Sequence, residues 1–262
     1  MFRINILGEK MIILYVVIVF LFFYVVFNYL PKLVPSMHIK KGTELILGGN
    51  HKEGLELFYK GAMSKHIKPY TKIRYAFLEL KYGDIKKAKK VISLLINDAF
   101  VDKKMKYEAK AIWALICFME GDVEQAKEVC ENLCKVYKTT DVYCTMGYIY
   151  NLTASPEEAV AFNLDAYEYN SDKDVIADNL AQAYYLNGEY DKAEELYGKI
   201  MANPPKFPEA YYNYALVLKE LGNKDKAEEM LREALKKEFH NLTTVKKETV
   251  EETLKLLEGN ED

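Results

Sequence analysis

The chain has 262 residues, of which 50% are hydrophobic and 29% charged, and its formal net charge is −3 at pH 7. This balance does not favour a nucleic-acid partner, because proteins that bind phosphate backbones usually carry an excess of positive charge. The lysines of residues 86–90 and 103–106 form a basic patch. We interpret this patch as lipid-facing or solvated, and we predict no nucleic-acid partner.

The amino-terminal part of the chain is predicted to be a membrane anchor. Residues 1–10 are expected to form a short polar tail, and residues 11–30 then contain no charged side chain. Twenty apolar residues in a helix span about 30 Å, which matches the hydrocarbon core of a bilayer. Pro31 and Pro35 are expected to end the helix. No small-x-small cleavage site follows, so we predict a retained single-pass transmembrane helix over 11–30 in the cell membrane.

A repeat of 34 residues organises the rest of the chain. The phrase Gly188-Glu-Tyr-Asp-Lys-Ala193 returns as Gly222-Asn-Lys-Asp-Lys-Ala227. Within one period, apolar residues at helical spacing are interrupted by a glycine and then resume, which is typical of a helix, a tight turn and a second helix. We predict a solenoid over 31–258, with six helical hairpins at about 35–68, 69–106, 107–139, 140–173, 174–207 and 208–241. A capping helix at 242–258 and a frayed tail at 259–262 are expected to follow.

Small residues recur at fixed places within each period. The last hairpin has Ala215, Ala227 and Ala234, with bulky residues such as Tyr211 and Leu231 between them. Two helices can cross at short distance only where the side chains are small. The residues predicted to lie at the equivalent first crossing of each hairpin are Gly42, Ala76, Ala114, Gly147, Ala181 and Ala215.

This pattern resembles the tetratricopeptide repeat family, and the chain is similar to its membrane-anchored bacterial members. The resemblance implies an all-α fold, in which an N-terminal transmembrane helix is followed by a right-handed α-solenoid of about six hairpins and a capping helix. It also implies a non-enzymatic scaffold that binds a protein or peptide partner and needs no cofactor.

The resemblance further implies that the first helix of each hairpin lines a concave groove. The residues at its groove positions are Tyr70, Ile73, Phe77, Leu115, Phe118, Cys144, Tyr148, Asn151, Asp178, Gln182, Tyr185, Tyr212, Leu216 and Lys219. Rigid aromatic surfaces with few basic residues suit an extended or helical peptide with apolar anchors. The Lys and Asn pair that clamps a terminal carboxylate in some members of the family is absent, and Asp178 would repel a carboxylate.

Charge is distributed unevenly along the repeats. Residues 36–140 carry 20 Lys and Arg against 13 Asp and Glu (+7), whereas residues 141–262 carry 13 against 25 (−12). A basic half next to the anchor fits the anionic cytoplasmic leaflet of a membrane. We therefore expect the repeats to lie in the cytoplasm.

The four cysteines, Cys117, Cys130, Cys134 and Cys144, carry the alternative hypothesis of a thiol- or metal-dependent sensor or enzyme. Four thiolates can bind zinc, but structural zinc sites place paired cysteines on tight turns, whereas these lie along predicted helices. The four histidines are scattered without the spacing of metal ligands. We therefore predict no metal site, no catalytic residue and no enzymatic activity.

Overall fold

The computed structural model describes residues 2–259, with side chains from residue 9 onward. Every regular element in this range is an α-helix, as the repeat pattern predicts. The helices are α1 (Phe2–Asn28), α2 (Leu30–Leu47), α3 (His51–Ala62), α4 (Pro69–Tyr82), α5 (Ile85–Asn97), α6 (Lys103–Met119), α7 (Val123–Val136), α8 (Thr140–Thr153), α9 (Pro156–Tyr169), α10 (Asp174–Leu186), α11 (Tyr190–Met201), α12 (Pro208–Glu220), α13 (Lys224–Leu235) and α14 (Lys247–Glu258).

The chain divides into two compact units. The first unit extends to Glu79 and the second begins at Leu80, so that the division falls within α4. The first unit contains α1 to α3, and the second contains α5 to α14.

In the first unit, α2 and α3 cross so closely that their backbones touch. A Cβ atom added at Gly42 would lie 2.7 Å from both the Gly54 carbonyl oxygen and the Phe58 nitrogen. A Cβ atom added at Gly61 would lie 2.5 Å from the carbonyl oxygen of Pro35. The obstructing atoms belong to the backbone and cannot rotate away. Glycine at positions 42 and 61 is therefore what allows the two helices to approach.

In the second unit, small residues again lie where paired helices cross. Ala114, Ala181 and Ala215 are at most 1% exposed, and Gly147 is also buried. Bulky residues fill the space between these crossings, and the Tyr197 and Tyr214 rings stack with their centroids 5.2 Å apart. The small residues in second helices are equally buried, namely Ala88, Ala126, Ala159, Ala193, Ala227 and Ala234.

Glycines with positive φ make the turns between paired helices. Gly188 has φ of 76° and Gly222 has φ of 75°, values in the left-handed region that a side chain disfavours. The predicted interruption of the helical pattern at Gly188 is therefore confirmed. Ser155 and Glu158 form a reciprocal capping box at the beginning of α9.

The amino-terminal helix differs from the prediction at both ends. It starts at Phe2, so residues 2–10 are its first turns and not a separate polar tail, and it ends at Asn28. Residues 9–28 have the length and apolar composition of a membrane-spanning helix, and a signal sequence meets the same criterion. Pro31 and Pro35 do not end this helix, because both lie in α2. Pro31 is in the first turn of α2, where a missing N–H removes no helical hydrogen bond, and Pro35 removes only one.

The carboxyl-terminal helix is shorter than predicted. It starts at Lys247, and residues 236–246 form a connection with hydrogen bonds of its own. One of these bonds joins the His240 N–H to the Thr243 hydroxyl, which favours a turn instead of a continued helix. The helix packs against α13. Residues 260–262 of the predicted frayed tail lie outside the described residues.

Candidate binding groove

Four successive first helices form a row in the second unit. Helix α6 contacts α8, α8 contacts α10, and α10 contacts α12. We call this arrangement the inner row. Because neighbouring members of the row are in contact, side chains on their facing sides lie next to each other. The inner row therefore brings together side chains that are far apart in sequence.

Most of the predicted groove residues of the second unit lie partly exposed on the inner row. Lys219 is exposed and Asp178 is buried. The half-buried ones are Leu115, Phe118, Cys144, Tyr148, Asn151, Gln182, Tyr185, Tyr212 and Leu216.

The three remaining predicted residues belong to the part of α4 in the first unit. Tyr70 is 53% exposed and Phe77 is 40% exposed, so both present an aromatic ring to the surface. Ile73 is only 6% exposed and belongs to the core, which puts it beyond the reach of a partner.

Aromatic side chains give the inner row its most prominent surface. The Phe118 and Tyr148 rings meet edge to face, with centroids 5.4 Å apart. Tyr185 on α10 and Tyr212 on α12 both pack on the hydrophobic core of the second unit while staying half exposed. Rings held in this way offer a large contact area at a small cost in conformational entropy.

Asn151 and Gln182 have a structural role as well as a surface position. The Asn151 side-chain nitrogen donates to the Asn179 carbonyl oxygen at 2.9 Å and to the Gln182 Oε1 at 3.0 Å. The Asn163 side-chain nitrogen donates to Asn151 Oδ1 at 2.8 Å. These bonds join α8 to α9 and α10, so the amides fix the spacing of neighbouring hairpins.

Gly147 leaves the space that this amide network needs. An added Cβ would collide with Asn163 Oδ1 and would lie 2.9 Å from Asn179 Nδ2. The Asn179 side-chain nitrogen donates to the Cys144 carbonyl oxygen at 2.9 Å, beside the same glycine. Glycine at 147, where other hairpins of this unit have alanine, therefore accompanies two asparagines packed over the helix crossing.

Asp178 is the most deeply buried carboxyl group of the inner row, with 4% exposure. Its Oδ1 accepts hydrogen bonds from the Tyr197 hydroxyl at 3.0 Å and from Asn213 Nδ2 at 3.3 Å. Burial raises the pKa of Asp178 to about 7, against the opposing effect of these two hydrogen bonds. The charge of Glu209 raises it further, and burial also raises the pKa of Glu209 itself. The two carboxyl groups make the centre of the inner row acidic.

A segment of the chain itself lies against this acidic centre. We call residues Glu238–Thr244 the closing segment. The Thr244 N–H donates to Glu209 Oε1 at 2.8 Å, its hydroxyl donates to the same oxygen at 3.5 Å, and the Thr244 side chain lies beside Tyr148. Tyr148 and Glu209 are on α8 and α12, so a residue from the connection before α14 touches two members of the inner row.

The other contacts of the closing segment reach the start of the second unit. The Asn241 N–H donates to the Lys81 carbonyl oxygen at 3.1 Å, and Asn241 Nδ2 donates to the Gly83 carbonyl oxygen at 3.2 Å. The Tyr82 and His240 rings meet edge to face, 6.0 Å between centroids. His240 Nδ1 is buried and has no hydrogen-bond partner among the described residues. Burial lowers the pKa of His240 to about 4, and the nearby Lys81 lowers it further.

The four cysteines are free thiols, with Cys117 and Cys130 buried and the other two half-buried. Burial raises the pKa of all four, and it raises those of Cys130 and Cys144 to about 12. A thiol with a raised pKa is mostly protonated near neutral pH and is a poor nucleophile or metal ligand. Within residues 9–259, no group of three or more His, Cys, Asp or Glu side chains is placed to hold a metal ion.

Sequence reasoning missed Asn163, Asn179 and the closing segment. Asn163 and Asn179 break the apolar pattern at buried positions of their helices, and this was the available signal. The contacts of the closing segment join residues up to 158 positions apart, and nothing in its local sequence indicates them.

Comparisons with known proteins agree with this arrangement. The family model described as tetratricopeptide repeat matches residues 184–245. A tetratricopeptide repeat protein from Parabacteroides merdae is similar in structure, with a TM-score of 0.65 and 15% identity over 89% of this chain and 88% of that chain. No curated protein sequence matches the chain.

Two further solved structures are similar. The PilF protein of Pseudomonas aeruginosa gives a TM-score of 0.56, with 12% identity over 78% of this chain and 91% of that one. A chain from the APC/C hetero-tetramer Cut9-Hcn1 gives a TM-score of 0.65, with 14% identity over 89% of this chain, which spans only 44% of the matched chain. At these identities the likeness concerns the fold.

Proposed function

Because the chain carries tetratricopeptide repeats and adopts their fold, we propose that it is a protein-binding scaffold whose inner row takes up an extended peptide segment of a partner. The observation that carries this proposal is the row of half-exposed aromatic and amide side chains on α6, α8, α10 and α12. Phe118, Tyr185 and Tyr212 offer rings, and Glu209 offers a hydrogen-bond acceptor to a peptide N–H. Central aromatic anchors of this kind carry most of the binding energy of a protein interface.

The similarity to the chain from the Cut9-Hcn1 hetero-tetramer supports a role in protein assembly, since that structure contains a second protein. The raised thiol pKa values and the absence of a ligand cluster within residues 9–259 disfavour the alternative of a sensor or enzyme that uses the cysteines.

We further propose that α1 anchors this scaffold in a membrane through residues 9–28, with the repeats in the cytoplasm. The helix is long and apolar enough to cross a bilayer, and its apolar side chains are exposed, with no protein surface covering most of them. An anchor confines a binding module to the membrane surface, which raises the local concentration of whatever it binds.

Tyr212→Ala is expected to weaken partner capture. Removing a central aromatic anchor costs about 2 kcal/mol of binding free energy, or roughly thirtyfold in Kd. The measurement is the quantity of each protein that co-purifies with the full chain after crosslinking in carbonate-washed membranes, where the anchor should retain the chain.

Tyr169→Ala is the matched control, because Tyr169 is an equally large and half-exposed ring on the second helix α9. It should leave capture unchanged. Equal capture by the wild type, Tyr212→Ala and Tyr169→Ala, with all three folded, would count against the inner row as the binding surface.

A further inference from the structure

The closing segment makes contacts that a bound peptide would make. At one end, the Asn241 N–H and side chain donate to the backbone carbonyl oxygens of Lys81 and Gly83. At the other end, the Thr244 N–H donates to Glu209. Most of these bonds involve backbone groups of the segment or of the surface that it touches. A segment of another protein that forms a similar turn can offer the same donors, since every residue except proline has a backbone N–H.

The position of the segment excludes a simultaneous ligand at the same place. Thr244 donates two hydrogen bonds to Glu209 and lies beside Tyr148, two side chains of the inner row that a partner would need. The segment is held between α13 and α14, which are packed together. Its local concentration at the inner row is therefore high and independent of the concentration of the protein.

The closing segment can also dissociate from the inner row without large loss of packing. Asn241 and Thr244 remain exposed while they make these bonds, and Leu242 and Thr243 are only half-buried. Two residues on either side of residues 240–244 hold the connection to the core of the second unit. Phe239 packs on this core and Val245 is buried in it. Release of residues 240–244 therefore uncovers little apolar surface and need not unfold a helix.

We propose that the closing segment is an intramolecular ligand of the inner row, and that the partner binds by displacing it with a segment of the same chemistry. This inference rests on the proposed function of the inner row. The expected partner segment forms a turn like that of residues 240–243, and it carries a Ser or Thr whose backbone N–H reaches Glu209 and whose side chain lies beside Tyr148. An acidic residue next to this Ser or Thr is excluded, because it would meet the carboxyl group of Glu209.

The test uses the full chain in detergent and a full-chain variant in which residues 240–244 are replaced by Gly-Ser-Gly-Ser-Gly, which keeps Phe239 and Val245. The probe is a fluorescent synthetic peptide with the sequence of residues 237–246. If the wild-type inner row is open about a tenth of the time, the apparent Kd of the probe is about tenfold higher for the wild type than for the variant. Glu209→Leu in the variant should abolish probe binding, whereas Glu229→Leu, at an exposed position on α13, should not.

A second measurement does not depend on the fold of the variant. In the wild type, the amide hydrogens of Asn241 and Thr244 should exchange slowly with solvent deuterium. An excess of the unlabelled probe peptide should displace the segment and make both amides exchange quickly. Unprotected amides without the probe, or equal probe affinity in the wild type and the folded variant, would overturn the inference.

Partner capture distinguishes this inference from the proposed function. Greater capture of the partner by the variant than by the wild type supports both. Equal capture by the two, with loss on Tyr212→Ala, keeps the scaffold and overturns the intramolecular ligand. Capture that does not respond to Tyr212→Ala in either background overturns the scaffold itself.

Discussion

Replacing Gly42 with alanine should open the crossing of α2 and α3. The new methyl group would stand 2.7 Å from two backbone atoms of α3, one on Gly54 and one on Phe58. No rotamer change relieves this contact, so the helices must separate. Overpacking of this kind costs about 1–3 kcal/mol, which outweighs the gain of at most about 1 kcal/mol in helix propensity.

Hydrogen–deuterium exchange of peptides covering residues 36–62 measures this effect in the first unit. A loss of 1.4 kcal/mol corresponds to about tenfold faster exchange, so an acceleration of roughly ten- to hundredfold is expected. Gly198→Ala is the matched control, because Gly198 lies inside α11 and an added Cβ there meets nothing within 4 Å. That variant should leave the same peptides unchanged. Similar exchange in wild-type and Gly42→Ala protein would contradict the close crossing.

Asp178→Asn should make the second unit more stable at pH 8 than the wild type, and the gain should shrink towards pH 5. The folded-state pKa of Asp178 is raised to about 7 from an ordinary value of 3.8. Between these two values the folded chain binds more protons than the unfolded chain, so wild-type stability falls as the pH rises to about 7. A difference of about three pKa units corresponds to roughly 4 kcal/mol in the free energy of unfolding. We therefore expect Asp178→Asn to be more stable than the wild type by about 2–4 kcal/mol at pH 8.

The asparagine can keep the two hydrogen bonds of the aspartate, because Tyr197 and Asn213 both donate to the same oxygen, Oδ1. Urea unfolding followed by the fluorescence of Trp113, the single tryptophan of the chain and part of the second unit, gives the free energy of unfolding at each pH. Asp172→Asn reports the effect of removing one exposed carboxyl group. A difference between the wild type and Asp178→Asn that does not change with pH would contradict the buried, protonated carboxyl group.

The helical hairpins were predictable because local physics determines them. Gly42 predicts a close helix crossing because glycine is small, and Gly188 and Gly222 predict turns because glycine readily adopts positive φ. Both signals are carried by single residues at a fixed interval. These signals do not depend on the surrounding side chains, so they can be found from the sequence alone.

The exposure of the groove residues was less predictable, because it depends on the orientation of each helix relative to its neighbours. Ile73 and Asp178 occupy groove positions of the repeat and are nevertheless buried. The hydrogen bond between Asn151 and Gln182 forms only when α8 and α10 lie at one particular spacing. Periodicity assigns a residue to a face of a helix, but the packing of neighbouring hairpins decides whether that face is open.

The predicted ends of two helices were wrong for a similar reason. Pro35 has a strong helix-breaking tendency, yet α2 continues through it and holds Gly42 and Ile46 against α3. The connection before α14 carries no repeat signal, and its conformation depends on partners at Lys81, Gly83 and Glu209. Tertiary contacts overrode local propensity in both places.

The most direct test of the scaffold is site-specific photocrosslinking in living cells. A photoreactive phenylalanine is introduced in the full chain at Tyr185 or Tyr212 on the inner row, and at Leu164 or Tyr169 on α9, all of which reach the surface. Our account predicts that the two inner-row positions crosslink the same partner protein and that the two positions on α9 do not. Partner crosslinks from the α9 positions, with none from the inner-row positions, would contradict this account.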